Sequence, residues 1–373
     1  MAWAKPQYSK GRVDWAGEIL ADVKNLREPT EADVKNVIAA IEIMNNWRAV
    51  HSYPLQAMKM TLKRRAKRVC PTAIVAQRLK RLASIRLKLE LSREAGNHPS
   101  LSQMQDIGGC RAILDSVAQV RKVETLFAEA SKKNPHRGPQ FSKTYDYIAK
   151  PKLSGYRSVH LVYRFRSASE EHSCYNSQRI EIQLRSRLQH YWATAVETYS
   201  TFTGEALKSN VGSEEWKRFF AVVSSAFALK EKEPTVPGTP ATLDALRPEL
   251  FDLYMRLNVE NVLSGWAAMV KDAAGEKAEE VANADIYLLV LNPDTFSTEL
   301  YPYPREKMAD ATARYAQIEK ENPDLQAVLV SVDSVAALRT AYPNYFLDTA
   351  AFISGVNEVL EIQDGPESAA ARK

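Results

Sequence analysis

Between Glu231 and Thr242 the chain reads EKEPTVPGTPAT, with Pro234, Pro237 and Pro240 interrupted by Gly238. Proline has no amide hydrogen to give to a helix interior or a central strand, so no regular element is expected to pass through such a stretch. Its composition is that of a linker, and it most strongly limits how the chain is organised. Two parts are expected on either side of it, residues 1–230 and 243–373, joined over 231–242. At 373 residues there is length for two or three packed domains.

Composition excludes little. The hydrophobic share of 45% and the charged share of 25% are those of an ordinary globular chain, and a net charge of +5 does not by itself imply a nucleic acid partner. The distribution of charge says more. From Lys63 to Lys88 the basic residues Lys63, Arg64, Arg65, Lys67, Arg68, Arg78, Lys80, Arg81, Arg86 and Lys88 occur with no acidic residue among them. Such a block is either a solvated helix face or a surface for a polyanion. Cys70, Cys110 and Cys174 lie far apart, with no zinc spacing and no disulfide framework. The start MAWAKPQYSK lacks the apolar core of a signal peptide, and no apolar run approaches the roughly 18 residues of a membrane span. A reducing cytoplasm and no membrane contact are therefore expected.

Periodicity gives a coarse map. Thr30 and Asp33 form a capping pair that starts a helix, and Val34, Val37, Ile38 and Ile41 follow at the spacing of a core-facing stripe. Pro54 is expected to break this pattern, and His51 reads as a structural or surface histidine. Ala73–Leu79 reads as a strand, followed by a helix through Ile85 and Leu89. Gln105–Leu114 reads as a strand holding Gly108 and Gly109, a pair that weakens a strand and signals close approach of a ligand or another backbone. A helix over Ser116–Ser131, a strand over Val159–Phe165, a polar connection over Ser167–Gln178 and a helix over Arg187–Tyr199 complete this half. Ile180–Leu184 (IEIQL) alternates, which puts Glu181 and Gln183 on one face. Beyond the linker, 243–280 reads as mostly helical. Strands at 286–291 and 327–332 with a helix over 306–321 between them make a small α/β unit. The fold class expected is α+β, a mixed sheet flanked by helices plus this smaller domain.

Three segments carry chemistry. Tyr147–His160 reads YIAKPKLSGYRSVH, where Lys150, Lys152, Arg157 and His160 surround Tyr156, directly after Gly155. Cations for phosphate and a ring beside flexible backbone suit a nucleotide, and a solvated basic hairpin is the plain alternative. Gln105–Ile113 reads QDIGGCRAI, and Arg179–Ala193 reads RIEIQLRSRLQHYWA. Glu181, on the polar face of its strand and near basic residues, makes a sensible second carboxylate to Asp106. Together, in this order and spacing, the three segments resemble the synthetase domain of the RelA/SpoT family, enzymes that transfer pyrophosphate from ATP to a nucleotide 3′-hydroxyl.

The resemblance covers about residues 60–200 and implies roles for particular positions. Arg78, Lys80 and Lys88 lie where family members hold ATP, and Arg111 would cover the second face of an adenine held by Arg78. Asp106 and Glu181 would bind Mg²⁺, with Glu181 also taking the acceptor proton. Lys152, His160 and Gln183 would contact the acceptor, and Tyr156 would stack on its base. His190 and Glu197 either line the site or are structural. Ser154 stands where many long members carry Asn, which leaves the acceptor open between GDP or GTP and the 3′ end of tRNA. For tRNA, Lys63, Arg64, Arg65, Lys67 and Arg68 would hold the acceptor stem. The C-terminal half resembles the regulatory domain of the CapRel type of fused toxin–antitoxin, a zinc-finger-like domain without metal ligands. In that type a Tyr-x-x-Tyr element plugs the ATP site until a phage capsid protein binds. Here Tyr342 and Tyr345 in YPNYF would be that element, with a turn packing its rings on its own domain as the alternative.

Overall fold

The computed structural model describes residues 3–26, 28–98, 100–133, 138–203, 213–263, 271–272, 284, 286–292, 295, 297–322, 325–331 and 349–362. The N-terminal helices are α1 (Lys10–Asp22), α2 (Glu31–Val50) and α3 (Ser52–Val69). Strand β1 (Ile74–Leu79) and helix α4 (Leu82–Glu94) follow, then β2 (Gly108–Leu114), α5 (Val117–Lys133), β3 (Gln140–Asp146), β4 (Val159–Arg164), β5 (Arg179–Ser186) and α6 (Arg187–Thr203). After α7 (Glu214–Lys230) and α8 (Leu243–Arg256) come β6 (Lys271–Asp272), β7 (Ile286–Asn292), β8 (Ser297–Tyr303), α9 (Met308–Glu321), β9 (Gln326–Ser331) and α10 (Ala350–Leu360).

Among the described residues the strands form one nine-stranded sheet in the order β3-β4-β5-β2-β1-β9-β7-β8-β6. β2 and β5 are parallel, as are β6 and β8, and the other pairs are antiparallel, so the sheet is mixed. The α+β reading holds in this form. Strands from both sides of the proline-rich stretch meet where β9 joins β1, through the register pairs Gln77↔Ser331 and Arg78↔Val330. Around that joint the Arg48 guanidinium donates to Glu319 at 2.9 Å and lies 4.1 Å over the Tyr315 ring, and Lys59 donates to the Ser331 hydroxyl at 3.0 Å. The other Glu319 oxygen accepts the Leu82 amide at 3.1 Å, capping the first turn of α4 from another part of the chain.

One face of the sheet is closed by α3 and α5. Leu55, Met58, Leu62 and Ala66 of α3 and Val120, Val123 and Phe127 of α5 pack on Cys110, Ala112, Ile180, Ile182, Leu184 and Leu161. A second core gathers α6, α7, α8 and α10 around Trp192, Phe219, Phe220, Phe227, Leu250, Tyr254, Phe352 and Val356. The stretch 231–242 runs against this core: Val236 is buried, its amide donates to the Ser225 hydroxyl at 2.9 Å, and the Gly238 carbonyl accepts from Arg218 at 2.8 Å.

Several local expectations need correction. Thr30 and Asp33 do form the capping box, but Val34, Ile38 and Ile41 are 47%, 53% and 39% exposed. Helix α2 carries a second apolar face, Ala40, Ile43, Met44 and Trp47, and it is this bulkier face that buries against Val13, Ala16 and Leu20 of α1. Pro54 sits in the first turn of α3, where a missing amide costs nothing, so it begins a helix instead of ending one. His51 is buried, and its Nδ1–H donates to the Trp47 carbonyl at 2.8 Å, a structural role. The strand expected from Gln105 starts only at Gly108, and β3 and β8 were not foreseen. His190 is buried at 1% exposure. Tyr342 and Tyr345 lie outside the described residues.

Candidate active site

Registers fix which side chains share the free face of the sheet. Arg78 pairs with Gly109, Gly109 with Glu181, Arg111 with Gln183, and Gln183 with His160. Directly paired residues project to the same side, so strands β1, β2, β5 and β4 present one continuous row of functional groups on the face opposite α3 and α5. Gly109 lies in that row with nothing within 4 Å of where a Cβ would stand. The absent side chain leaves room there.

Arg78, Lys80, Asp106, Gly109, Cys110, Arg111, Glu181 and Gln183 line a cavity of about 40 Å³. Six residues assigned from the sequence thus meet at one place, and both carboxylates are among them. As it stands the cavity has space for a few waters, not a nucleotide. Asp106 is held by two lysines, Lys80 at 3.0 Å and Lys88 at 2.9 Å. Burial pushes its carboxyl pKa up, but the two ammonium groups outweigh this and hold it well below the usual carboxylate range. For Lys80 burial is the larger influence and lowers its pKa despite Asp106.

Glu181 belongs to a closed loop of hydrogen bonds. Gln183 Nε2 donates to Glu181 Oε2 (2.7 Å), and Arg185 Nη2 donates to Gln183 Oε1 (3.0 Å) and to the Tyr156 hydroxyl (2.7 Å). That hydroxyl meets His160 Nε2 at 2.7 Å, and His160 Nδ1 returns to Glu181 Oε1 at 2.9 Å. Burial lowers the His160 pKa, yet Tyr156 and Glu181 together push it up to about 9, while the same imidazolium pulls Glu181 below its ordinary value against the effect of burial. With His160 protonated, both ring nitrogens donate. The Tyr156 oxygen then accepts from His160 and Arg185, and its own hydrogen points out of the loop.

Tyr156 is held from behind. Gly155 has φ of +90°, and a Cβ there would stand 2.9 Å from Ser224 Cβ, 3.0 Å from Trp192 and 3.1 Å from the Phe220 carbonyl. Only glycine fits that backbone and that gap. The Tyr156 ring meets Trp192 edge-on at 6.5 Å, and Lys152 Nζ lies 5.4 Å from its centroid. Tyr156 is only 8% exposed, so it presents a rim more than an open shelf.

Arg185 escaped the sequence reading. The signal was there, since Glu181, Gln183 and Arg185 alternate on one strand face, but an arginine beside several others drew no notice. The basic block Lys63, Arg64, Arg65, Lys67 and Arg68 is not brought to this cavity. It lies on α3, behind the sheet, with the Arg65 guanidinium packed 4.0 Å over the Phe127 ring. Among the described residues no cluster of three or more His, Cys, Asp or Glu side chains could hold a metal.

Residues 77–203 match the family described as "Region found in RelA / SpoT proteins". Over 127 residues the chain is 35% identical to the GTP pyrophosphokinase YjbM of Bacillus subtilis (strain 168), an alignment covering 33% of this chain and 54% of that protein. The chain therefore spans about half the length of the curated relative it matches. Among solved structures, small alarmone synthetase 1 from Bacillus subtilis bound to its product pppGpp aligns with 24% identity and a TM-score of 0.40, covering 49% of this chain and 90% of that one. Small alarmone synthetase 2 from Bacillus subtilis aligns with 20% identity and a TM-score of 0.39, covering 50% and 93%. No helix among the described residues is long and apolar enough to cross a membrane.

Proposed function

We propose that the RelA/SpoT-type region at residues 77–203 is a pyrophosphokinase, transferring the terminal pyrophosphoryl group of ATP to the 3′-hydroxyl of a nucleotide. The observation that carries this is the convergence of Asp106 and Glu181 on one cavity walled by Arg78, Lys80, Arg111 and Gln183. Such a transfer requires screening of triphosphate charge and an acceptor hydroxyl in line with the β-phosphorus. Lys80 and Lys88, now paired with Asp106, are the groups to swing onto phosphate oxygens as ATP enters, which also frees the Asp106 carboxylate. Arg78 and Arg111 hold the adenine end.

Two carboxylates facing one cavity fit a hard cation that takes one or two such ligands and completes its shell with water and phosphate, so Asp106 and Glu181 would hold Mg²⁺. When bound, that ion supplies charge neutralisation across the phosphates. Glu181, kept ionised by His160, accepts the acceptor's hydroxyl proton, and Gln183 fixes the orientation of its carboxylate. Lys152, His160 and Tyr156 receive the acceptor nucleotide.

The curated relative's name favours GDP or GTP as acceptor, with (p)ppGpp as product. The 3′ end of tRNA is the second acceptor, favoured by the Tyr145 and Tyr147 rings set beside Lys143 and Lys152 next to the cavity. In the finer form of this reading, residues 1–230 are a cytoplasmic toxin and 243–373 a fused antitoxin-like restraint, released by a phage capsid protein. The joint of β9 with β1 at Arg78, an ATP-holding candidate, supports such a restraint. The deciding experiment incubates the chain and radiolabelled ATP with GDP or with bulk tRNA and asks which is labelled. The Asp106→Asn and Glu181→Gln proteins should label neither; labelling at the unsubstituted rate defeats the reading.

A further inference from the structure

Helix α7 lies outside residues 77–203, yet one of its side chains holds both backbone neighbours of Tyr156. The buried Ser224 hydroxyl donates to the Gly155 carbonyl at 2.6 Å and accepts from Arg157 Nε at 2.9 Å. Arg157, one of the cations expected from the sequence to suit a phosphate, is itself buried, and its Nη1 donates to the Ile148 carbonyl at 3.1 Å. Its guanidinium therefore braces the loop from the inside, reaching from Ile148 near its start to α7.

The loop closes on itself without α7. The Tyr147 amide donates to the Ser158 carbonyl at 3.0 Å, the Gly155 amide to the Lys152 carbonyl at 2.8 Å, and the Lys152 amide to the Tyr156 carbonyl at 3.3 Å. These bonds fix the shape of the loop but not where it sits over the sheet. The Tyr156 hydroxyl is held at one end by His160 and Arg185, and the backbone on either side of the residue is held at the other end by Ser224. Helix α7 is in turn packed by the C-terminal half, for the Phe352 ring of α10 lies 6.0 Å from those of both Phe220 and Phe227. The adjacent Ser225 is also buried but serves another part of the chain: it accepts the Val236 amide at 2.9 Å and is bonded to the Thr239 hydroxyl at 2.7 Å.

We propose that Ser224 is a positioning residue for the acceptor. Through Gly155 and Arg157 it sets how Tyr156 stands at the cavity, so acceptor affinity, and not ATP affinity, depends on α7 and on the C-terminal helices packed around it. Removing the hydroxyl leaves a buried carbonyl and a buried guanidinium N–H without their partner, and the loop relieves this by moving. A shift of about 1 Å in a group that orients substrate is enough to cost up to roughly a hundredfold. The inference rests on the transfer reading for the ligand that Tyr156 receives.

Ser225→Ala is the control, since it removes an equally buried hydroxyl from the same helix. With radiolabelled ATP, Ser224→Ala should raise KM for the acceptor that becomes labelled, GDP or bulk tRNA, roughly tenfold, with KM for ATP within about twofold. Ser225→Ala should leave both KM values within about twofold. Hydrogen exchange of the full chain without nucleotide reads the anchoring apart from catalysis: Ser224→Ala should speed exchange over 147–158, and Ser225→Ala over 231–242. Equal acceptor KM in the two serine variants overturns the positioning role. So does a rise in ATP KM as large as that for the acceptor, or exchange over 147–158 that Ser224→Ala leaves unchanged. Faster exchange over 147–158 confined to Ser224→Ala, in a chain that labels no acceptor, leaves Ser224 as the anchor of the loop and removes the transfer reading.

Discussion

Replacing Tyr156 by phenylalanine removes one oxygen and with it two of the five hydrogen bonds that close the loop through Glu181. His160 and Arg185 are then left as buried donors without that acceptor, at a cost of about 1–3 kcal/mol. The expected outcome is a folded protein, measured by circular dichroism and urea midpoint, whose turnover falls roughly tenfold to hundredfold because Glu181 is no longer held in place. Arg185→Lys should fall in the same range, since a single ammonium cannot reach both Gln183 and Tyr156 in the arginine's geometry. Within a closed loop the losses overlap, so the double substitution should cost little more than either alone. Gly155→Ala belongs to a different class: the positive φ and the contact with Ser224 and Trp192 predict a stability loss of about 2–4 kcal/mol, read from the same urea midpoint. At this scale the family resemblance, more than residue type, brought Asp106, Glu181 and Tyr156 into view, and the structure sets Asp106 and Glu181 on one cavity. Arg185 was not legible, because an arginine's task depends on which oxygen it reaches, and that is set by the register of β5 with β4.

Among elements, the seam between α2, α4 and α9 has the clearest consequence. The Glu319 side chain, 9% exposed, serves both the buried Arg48 guanidinium and the first amide of α4. Glu319→Ala strands a buried cation and uncaps a helix at once, so a loss of about 3–5 kcal/mol is expected, with Lys88 on α4 becoming more mobile. Hydrogen exchange of the α4 amides measures this directly. His51, at the junction of α2 and α3, sets a pH dependence. Burial, only partly opposed by its bond to Trp47, lowers its pKa from 6.5 to about 4. The unfolded chain therefore binds the proton more readily. Stability from this group is whole above pH 6.5, declines as the pH falls from there towards about 4, and amounts to a difference on the order of 3 kcal/mol. Urea titrations of the His51→Gln protein should lack that part of the slope. Helix α2 itself shows the limit of periodicity: its spacing gave the helix and its cap, but two apolar faces competed, and only the position of α1 decides which is covered.

At the scale of the whole molecule, the proline-rich stretch was the strongest mark in the sequence, and it does separate α7 from α8. What it did not disclose is that α8 and α10 share a core with α6 and α7, because helix-to-helix contacts across a hundred residues leave no local trace. A fragment ending at Lys230 exposes Phe219, Phe220 and Phe227 and is expected to aggregate on expression, as sedimentation would report. A chain that keeps α8 and α10 and lacks 264–348 retains that core but gives up Glu319, Tyr315 and Ser331 against Arg48 and Lys59, so it is expected to be soluble with a lower urea midpoint, and it is the form in which release of activity is best sought. The sheet has a corresponding consequence for how such chains can be recombined. A C-terminal unit whose last strand completes another part's ladder is not an exchangeable cassette: trading it between two related chains will give a working hybrid only where the incoming strand meets Gln77 and Arg78 in the same two-residue register.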